Sequence, residues 1–162
     1  MSDVEKLQLR SGARSAVMRA VRSKNTSPEL AVRRLLHGAG YRFRLHRPDL
    51  PGRPDIVFPS RRRAILVHGC FWHGHSCARG ARTPKSNEAY WLPKLRRNRE
   101  RDARALDALA DLGWAALVVW ECETGTAAKG RLLARLAAFL GPPGTPTEAV
   151  STQQATEGGI EP

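Results

Sequence analysis

The residues best suited to chemistry lie between Val67 and Cys77, VHGCFWHGHSC, which holds two of the three cysteines and three of the five histidines of this 162-residue chain. Thiol sulfur and imidazole nitrogen at this density are metal-ligand chemistry. Cys70, His75 and Cys77 are soft and borderline donors at close spacing, suited to Zn²⁺. The remaining cysteine, Cys122, would complete a Cys₃His tetrahedron with no open position, which describes a structural zinc rather than a catalytic one. His73 competes with His75 for the histidine place, and spacing does not choose between them. The plainer alternative is three unrelated buried thiols, a common state of free cysteine. An odd cysteine count argues against a complete disulfide set.

A second candidate chemistry starts at Asp55, directly after Pro54 and at the mouth of a predicted strand, Asp55–Phe58. Some nucleases hold Mg²⁺ with an Asp so placed and further polar groups on the partner strand. The Asp/Glu-x-Lys half of the restriction-nuclease pattern is missing here, because the matching region reads Val67-His68-Gly69. Turn chemistry therefore explains the Pro-Asp pair equally well. If the two strands pair, Asp55 lies beside the Val67–His68 backbone. One carboxylate and one backbone carbonyl could then hold Mg²⁺, which prefers oxygen and keeps several waters.

These residues need elements to position them. Ala64–Val67 is a short apolar run that reads as a buried strand. It follows Asp55–Phe58 after a Pro59-Ser60 turn and Arg61–Arg63, a connection too short for anything but an antiparallel hairpin. Upstream, Tyr41–His46 alternates as a half-buried strand and sets Arg42, Arg44 and His46 on one face. Ser27-Pro28-Glu29 predicts a helix start, with Ser27 as N-cap and the helix running to Ala39. Glu29 lies at the edge of its apolar stripe, where complementing the helix dipole is its plainest role.

Residues 1–13 read as a flexible arm, and Ser15–Arg22 as a short helix with Met18 off its apolar stripe. Downstream, Cys77–Glu88 reads as a surface loop. Tyr90 and Trp91, adjacent aromatics in a basic neighbourhood, suit either base stacking or a packed helix start. A helix is predicted from Pro93 to Leu112. Lys94, Arg96, Arg97 and Arg99 in its first turns would draw an anion. Asp102 lies beside its apolar face, able to point inward or to pair with Arg99, Arg101 or Arg104. Trp114–Trp120 reads as a fully buried strand delivering Glu121 and Cys122. A last helix spans Thr126–Leu140, and from Gly141 the chain lacks the apolar content to fold. The expected division is an arm (1–13), one domain (14–140) and a tail (141–162).

The charge balance points to a partner. With 27 Lys and Arg against 15 Asp and Glu, the net charge is +12, an excess suited to a polyanion bound through phosphate contacts and counterion release. An Arg-rich solvated surface explains the choice of Arg over Lys but not the excess over acids. There is no apolar run long enough for a membrane span and no apolar signal core near Met1, so a cytoplasmic location is expected. A reducing cytoplasm also suits metal-bound thiolates.

The motifs combine into a resemblance. Met18-Arg19, Thr26-Ser27-Pro28-Glu29-Leu30, Leu50-Pro51-Gly52-Arg53-Pro54-Asp55, His68-Gly69-Cys70-Phe71-Trp72-His73 and Trp91-Leu92 occur in order and with family-like spacing. So do Asn98 with Asp102, and Gly113-Trp114 with Trp120-Glu121-Cys122. Over residues 14–125 the chain resembles the very short patch repair endonucleases of bacteria. The resemblance implies an α/β, restriction-endonuclease-like mixed sheet flanked by helices, with a structural zinc site. It implies Mg²⁺-dependent nicking of duplex DNA 5′ of the thymine in T:G mismatches left by 5-methylcytosine deamination.

By the same resemblance Asp55 is the metal-binding carboxylate, with the Val67 carbonyl as a further Mg²⁺ ligand. His73 activates water with Asp102 as its orienter, and His68 and Glu29 act on metal-bound waters. Cys70, His75, Cys77 and Cys122 hold zinc. Met18, Phe71, Trp72 and Trp91 insert beside the mismatch, and Lys94 and Asn98 join them at the DNA. The expected partners are mismatched duplex DNA and mismatch-repair proteins, for a protein that is itself a monomer. Val67 departs from the Thr often found in the family, a change that a main-chain role tolerates. Gly74 and Ser76 replace histidines seen in some members. A double-strand restriction endonuclease and a non-catalytic zinc-stabilised DNA-binding module are the rival readings.

Overall fold

The computed structural model describes residues 24–82 and 87–144. The expected arm, the Ser15–Arg22 helix with Met18, and the tail beyond Gly144 lie outside the described residues. The first element is α1, Ser27–Gly38. Its N-cap is Thr26 rather than Ser27, with the Thr26 hydroxyl accepting from the Glu29 N–H. Glu29 returns the contact by accepting from the Thr26 hydroxyl at 2.9 Å and from the Asn25 N–H at 3.0 Å. This reciprocal pattern is a capping-box variant, and it turns the Glu29 side chain into the protein, where the residue is only 3% exposed.

Strand β1, Arg44–Leu45, is shorter than the alternation suggested. It ends at His46, whose φ of 47° lies in the left-handed region. Strand β2, Ile56–Phe58, is buried along its whole length. A single 3₁₀ turn over Pro59–Arg61 leads into β3, Arg63–His68, so the expected hairpin is present. A one-turn helix α2, Cys70–His73, follows β3 directly. Then come α3, Glu88–Asp111, strand β4, Ala115–Trp120, and after two 3₁₀ turns α4, Lys129–Leu140.

The sheet is mixed and four-stranded, in the order β1-β2-β3-β4. β1–β2 and β2–β3 are antiparallel, and β3–β4 is parallel, in register from Arg63 opposite Ala115 to His68 opposite Trp120. A parallel pair needs a long crossover, and α2 and α3 lie within it. One face of the sheet carries α1 and α4, where Val32, Leu36, Leu132, Leu136 and Leu140 pack on Ile56, Ile65 and Val119. The other carries α3, where Leu109 packs with Leu50, Val57 and Leu66. Side chains alternate along a strand, so His68 points to the same side as Leu66, towards α3. This parity decides which helix can reach the end of β3.

Two expectations change. The third helix begins at Glu88, not Pro93, so Tyr90 and Trp91 are helical and Pro93 sits inside the helix. Pro93 lies past the first turn, so its missing N–H costs the helix the bond to the Ala89 carbonyl, a local loss that the 24-residue helix carries. Strand β4 is not fully buried: Val119 is, but Ala115 is exposed. Among the described residues β4 is an edge strand, paired only with β3, and burial on both faces belongs to the interior strands β2 and β3. No described helix is long and apolar enough to cross a membrane.

Candidate functional site

The C-terminal end of β3 collects most of the chemistry. As β2 runs out at Asp55, the Val67 N–H of β3 loses its strand partner and donates instead to Asp55 Oδ2 at 2.7 Å. The side chain thus ties itself to the Val67 amide, with the Val67 carbonyl one peptide further on. Burial is the main reason the Asp55 carboxyl is pushed up to about 6; the neighbouring Glu29 raises it further, and the Val67 hydrogen bond opposes both.

One residue along β3, His68 is buried and lies flat against His73 of α2, ring centroids 3.9 Å apart and planes within 12°. His73 Nδ1 hydrogen-bonds Asp102 Oδ2 of α3, closing a line Asp55–Val67–His68–His73–Asp102. Burial first, and the charge of His73 second, bring His68 down to about 4. His68 is therefore a neutral ring at neutral pH, and it does not repel a proton arriving on His73. Asp102 can only accept, so the proton of neutral His73 sits on Nδ1 and Nε2 is left as its basic atom.

On the other flank of Asp55 stand Glu29, Arg33 and His46. Arg33 Nη2 donates to Glu29 Oε2 at 2.8 Å and lies 2.9 Å from His46 Nε2. His46 Nδ1 is 3.9 Å from Asp55 Oδ1. Burial, then Arg33, hold the His46 pKa below its ordinary value. Sequence reasoning singled out neither Arg33 nor His46. The available signal was strand parity, which already set His46 with Arg42 and Arg44.

The thiols converge separately. Donor atoms of Cys70, His75, Cys77 and Cys122 all lie within 4.8 Å of one another. The structure thus groups His75, not His73, with the cysteines. Cys70 is fully buried, and burial pushes its thiol up to about 12; the Gly80 N–H and His75 bring Cys77 down to about 6. The Gly80 and Cys122 N–H groups donate to Cys77 Sγ and Cys70 Sγ, each at 3.4 Å. Such N–H···S contacts are what thiolate ligands accept. Position 80 must be glycine, because a Cβ there would stand 2.2 Å from the His75 carbonyl oxygen. Trp120 connects the two clusters, stacked on His75 at 4.3 Å and edge-on to His68 at 5.5 Å. It is a third residue, after Arg33 and His46, that sequence reasoning did not assign to the site.

Beside His73 an aromatic group faces outward. Trp72 and Trp91 lie 5.8 Å apart, and Phe71 touches both. The Lys94 ammonium sits over Trp91, Tyr90 and Trp72 at 5.4, 5.5 and 5.9 Å. Asn98 donates to the Trp72 carbonyl at 3.1 Å, tying α2 to α3. Tyr90 and Leu92 are about half exposed, at 52% and 47%. A cation held against one exposed ring and two partly exposed ones is suited to a nucleic-acid surface.

Known proteins carry similar sequences. A profile for the family described as "DNA mismatch endonuclease Vsr" matches residues 8–79. The chain is 60% identical over 129 residues, 80% of its length and 93% of the relative's, to the type II nicking enzyme V.XorIIP of Xanthomonas oryzae pv. oryzae. It is 44% identical over 110 residues to the type II nicking enzyme V.NmeAIP of Neisseria meningitidis, covering 68% of this chain and 78% of the relative. Against the DNA mismatch endonuclease Vsr of Escherichia coli it is 44% identical over 109 residues, 67% of this chain and 69% of the relative.

These relatives place the chain in the class of DNA endonucleases. Within that class it belongs to the Vsr family of DNA mismatch endonucleases.

Proposed function

We propose that this endonuclease nicks duplex DNA on the 5′ side of the thymine in a T:G mismatch, in a Mg²⁺-dependent reaction. The observation that carries the reading is the line Asp55–Val67–His68–His73–Asp102 at one end of β3. It sets a carboxylate and an oriented imidazole at one strand end, as hydrolysis of a phosphodiester needs.

A cation fits Asp55. Two carboxylates, the buried Glu29 and the half-buried Asp55, stand close enough to raise the Asp55 pKa, and divalent charge relieves that repulsion. Asp55 Oδ1 and the Val67 carbonyl would hold Mg²⁺, which would supply Lewis-acid stabilisation of charge on the phosphate and leaving oxygen. His73 does the proton work. Its Nε2 takes a proton from the attacking water while Asp102 steadies the imidazolium through Nδ1. His68 supports the His73 ring from its face and offers its own edge to water. Glu29 acts beside Asp55 through its charge.

Zn²⁺ fits Cys70, His75, Cys77 and Cys122, a soft donor set already supplied with N–H···S bonds. It would fix the segment that carries Trp72 and His73 between β3 and α3. The mixed sheet with helices on both faces suits the restriction-endonuclease-like fold that the resemblance implies. Phe71, Trp72 and Trp91, with Met18, would enter the stack at the mismatch, where a wobble pair yields at lower cost. Lys94 and Asn98 would face the bases and backbone there. An enzyme with this activity would act where bacterial DNA lies, in the cytoplasm at the nucleoid.

The test is a nicking assay on end-labelled duplexes that differ only in one pair, T:G, C:G or T:A, with and without Mg²⁺. The expected product is a single nick 5′ of the thymine, in T:G alone and only with Mg²⁺. Equal cutting of all three duplexes would remove the mismatch reading, and cuts in both strands would favour a restriction enzyme.

A further inference from the structure

Among the described residues three clusters have the composition of a metal site: the thiol set, His68–His73–Asp102, and Glu29–His46–Asp55. The last is not what its composition suggests. Arg33 has only donors, and its Nη2 faces both Glu29 Oε2 at 2.8 Å and His46 Nε2 at 2.9 Å. His46 Nε2 must therefore accept, and the ring proton is on Nδ1. A ring protonated at Nδ1 and engaged at Nε2 has no lone pair left for a metal.

What remains is a donor aimed at the carboxylate. His46 Nδ1 lies 3.9 Å from Asp55 Oδ1, beyond a direct hydrogen bond and within the reach of one bridging water. Asp55 is pinned at Oδ2 by Val67, and a carboxylate held by one oxygen can still swing the other. The backbone places the donor: the His46 N–H bonds the Asp55 carbonyl at 3.4 Å, and the φ of 47° at His46 turns its side chain off the end of β1. Histidine is among the residues that tolerate this left-handed conformation.

We propose that His46 is a positioning residue for the nicking reaction, locked by Arg33 as its Nδ1–H tautomer and holding Asp55 Oδ1, through one water, in the orientation that receives Mg²⁺. The inference rests on the proposed role of Asp55. The Glu29–Arg33–His46 chain thus reaches the metal carboxylate from α1, as Val67 reaches it from β3. Partners one step out from a metal ligand change affinity by about 10- to 100-fold when removed.

The test uses two variants that both suit a left-handed backbone. His46→Gly deletes the ring and relieves the backbone. His46→Asn keeps an N–H donor near the place of Nδ1. Mg²⁺ binding to the full-length, zinc-loaded chain is measured by calorimetry, and nicking is split into kcat and KM for DNA. Expected results are Mg²⁺ affinity about tenfold weaker in His46→Gly, with KM little changed, and recovery of most of that loss in His46→Asn. Nitrogen NMR of the unsubstituted protein should show His46 protonated at Nδ1.

A Nε2–H tautomer would overturn the proposal, and so would a glycine variant that matches or exceeds the asparagine one, the order that backbone relief alone predicts. Asp55→Asn is run alongside. If it binds Mg²⁺ as well as the unsubstituted protein, the metal role of Asp55 itself is lost. If it loses Mg²⁺ while His46→Gly keeps it, the inference about His46 alone is lost.

Discussion

The two ends of β3 are both rich in cationic and polar side chains, and they use them in opposite ways. At the N-terminal end, Arg61 donates to the Leu140 and Pro142 carbonyls at 2.5 and 2.6 Å, and Arg62 to the Leu112 carbonyl at 2.5 Å. Those oxygens belong to the last turns of α4 and α3 and the residues just beyond, where carbonyls lack helical partners and the dipole favours a cation. At the C-terminal end, the polar groups bond chiefly to one another and leave atoms unspent: Asp55 Oδ1, His73 Nε2 and four soft donors. One end spends its polar groups on helix termini; the other keeps reactive atoms available. The difference is that between structure and chemistry, on a single six-residue strand.

Metal removal should separate the ends most sharply. Structural zinc is worth on the order of 10 kcal/mol to small zinc domains. A strong chelator should therefore loosen Cys70–Gly80, take His73 out of line and abolish nicking. Hydrogen exchange should report it, with protection lost at the amides of Cys70, His75 and Cys122 and retained at the end of α4. Equal loss at both ends would mean that the thiol cluster supports the whole fold. Gly80→Ala should produce the milder, metal-loaded version of the same defect, since its Cβ meets the His75 carbonyl.

Next in size is the loss of the oriented base. His73→Ala should lower kcat by about 10²- to 10⁴-fold, the usual worth of a positioned general base. DNA affinity should change little, because the aromatic group and Lys94 are untouched. Asp102→Asn should cost less, since it weakens rather than removes the Nδ1 contact. A His73→Ala protein that still nicks at the full rate would move the base to another residue.

How much of this contrast was readable in the sequence depends on the range of the interaction. The β2–β3 hairpin was legible because its apolar runs and the Pro59-Ser60 turn are local. The three thiols were legible as a set, because the chain has no other cysteine; spacing did not choose between His75 and His73, and only the resemblance named His75. It turns on α2 being a single turn, capped at Gly74, which sends the two rings to different neighbours. Arg33 and His46 were missed because they meet across 13 positions. Arg61 and Arg62 counted towards a polyanion partner in the net charge, yet they bond carbonyls 50 to 81 positions away. The start of α3 is not legible locally, because Pro93 reads as a helix boundary and yet sits inside the helix.

The pH dependence sharpens the same comparison at lower energy. Asp55 titrates at about 6 in the fold, above the ordinary carboxylate value of 3.8. The folded state thus binds the proton more tightly. Its contribution is fully present below the unfolded pKa and is lost as pH rises through 6, at a cost of up to about 2–3 kcal/mol by pH 8. His68 works the other way: its folded value of about 4 lies below 6.5, so its contribution is present above 6.5 and lost as pH falls. Without Mg²⁺, Asp55→Asn should therefore be more stable than the unsubstituted protein at pH 8, with the gap closing by pH 4, while nicking is lost. A melting-temperature series in which the gap does not change with pH would mean that Asp55 ionises without strain.

The smallest effect lies at the other end of the strand. Arg61→Ala removes two hydrogen bonds to carbonyls and a cation held 5.8 Å from the centre of the Tyr41 ring. Hydrogen bonds of this kind contribute about 1 kcal/mol each. Water can replace the lost donor at the exposed Pro142 contact but less readily at the part-buried Leu140 carbonyl, so the expected cost is about 1–2 kcal/mol. Nicking per folded molecule should stay unchanged, because nothing at this end touches Asp55, His73 or the thiols. Denaturant unfolding and a nicking assay on the same preparation check both halves. If Arg61→Ala instead keeps its stability and loses DNA affinity, its charge faces the phosphate backbone after all, and the division of labour along β3 is wrong.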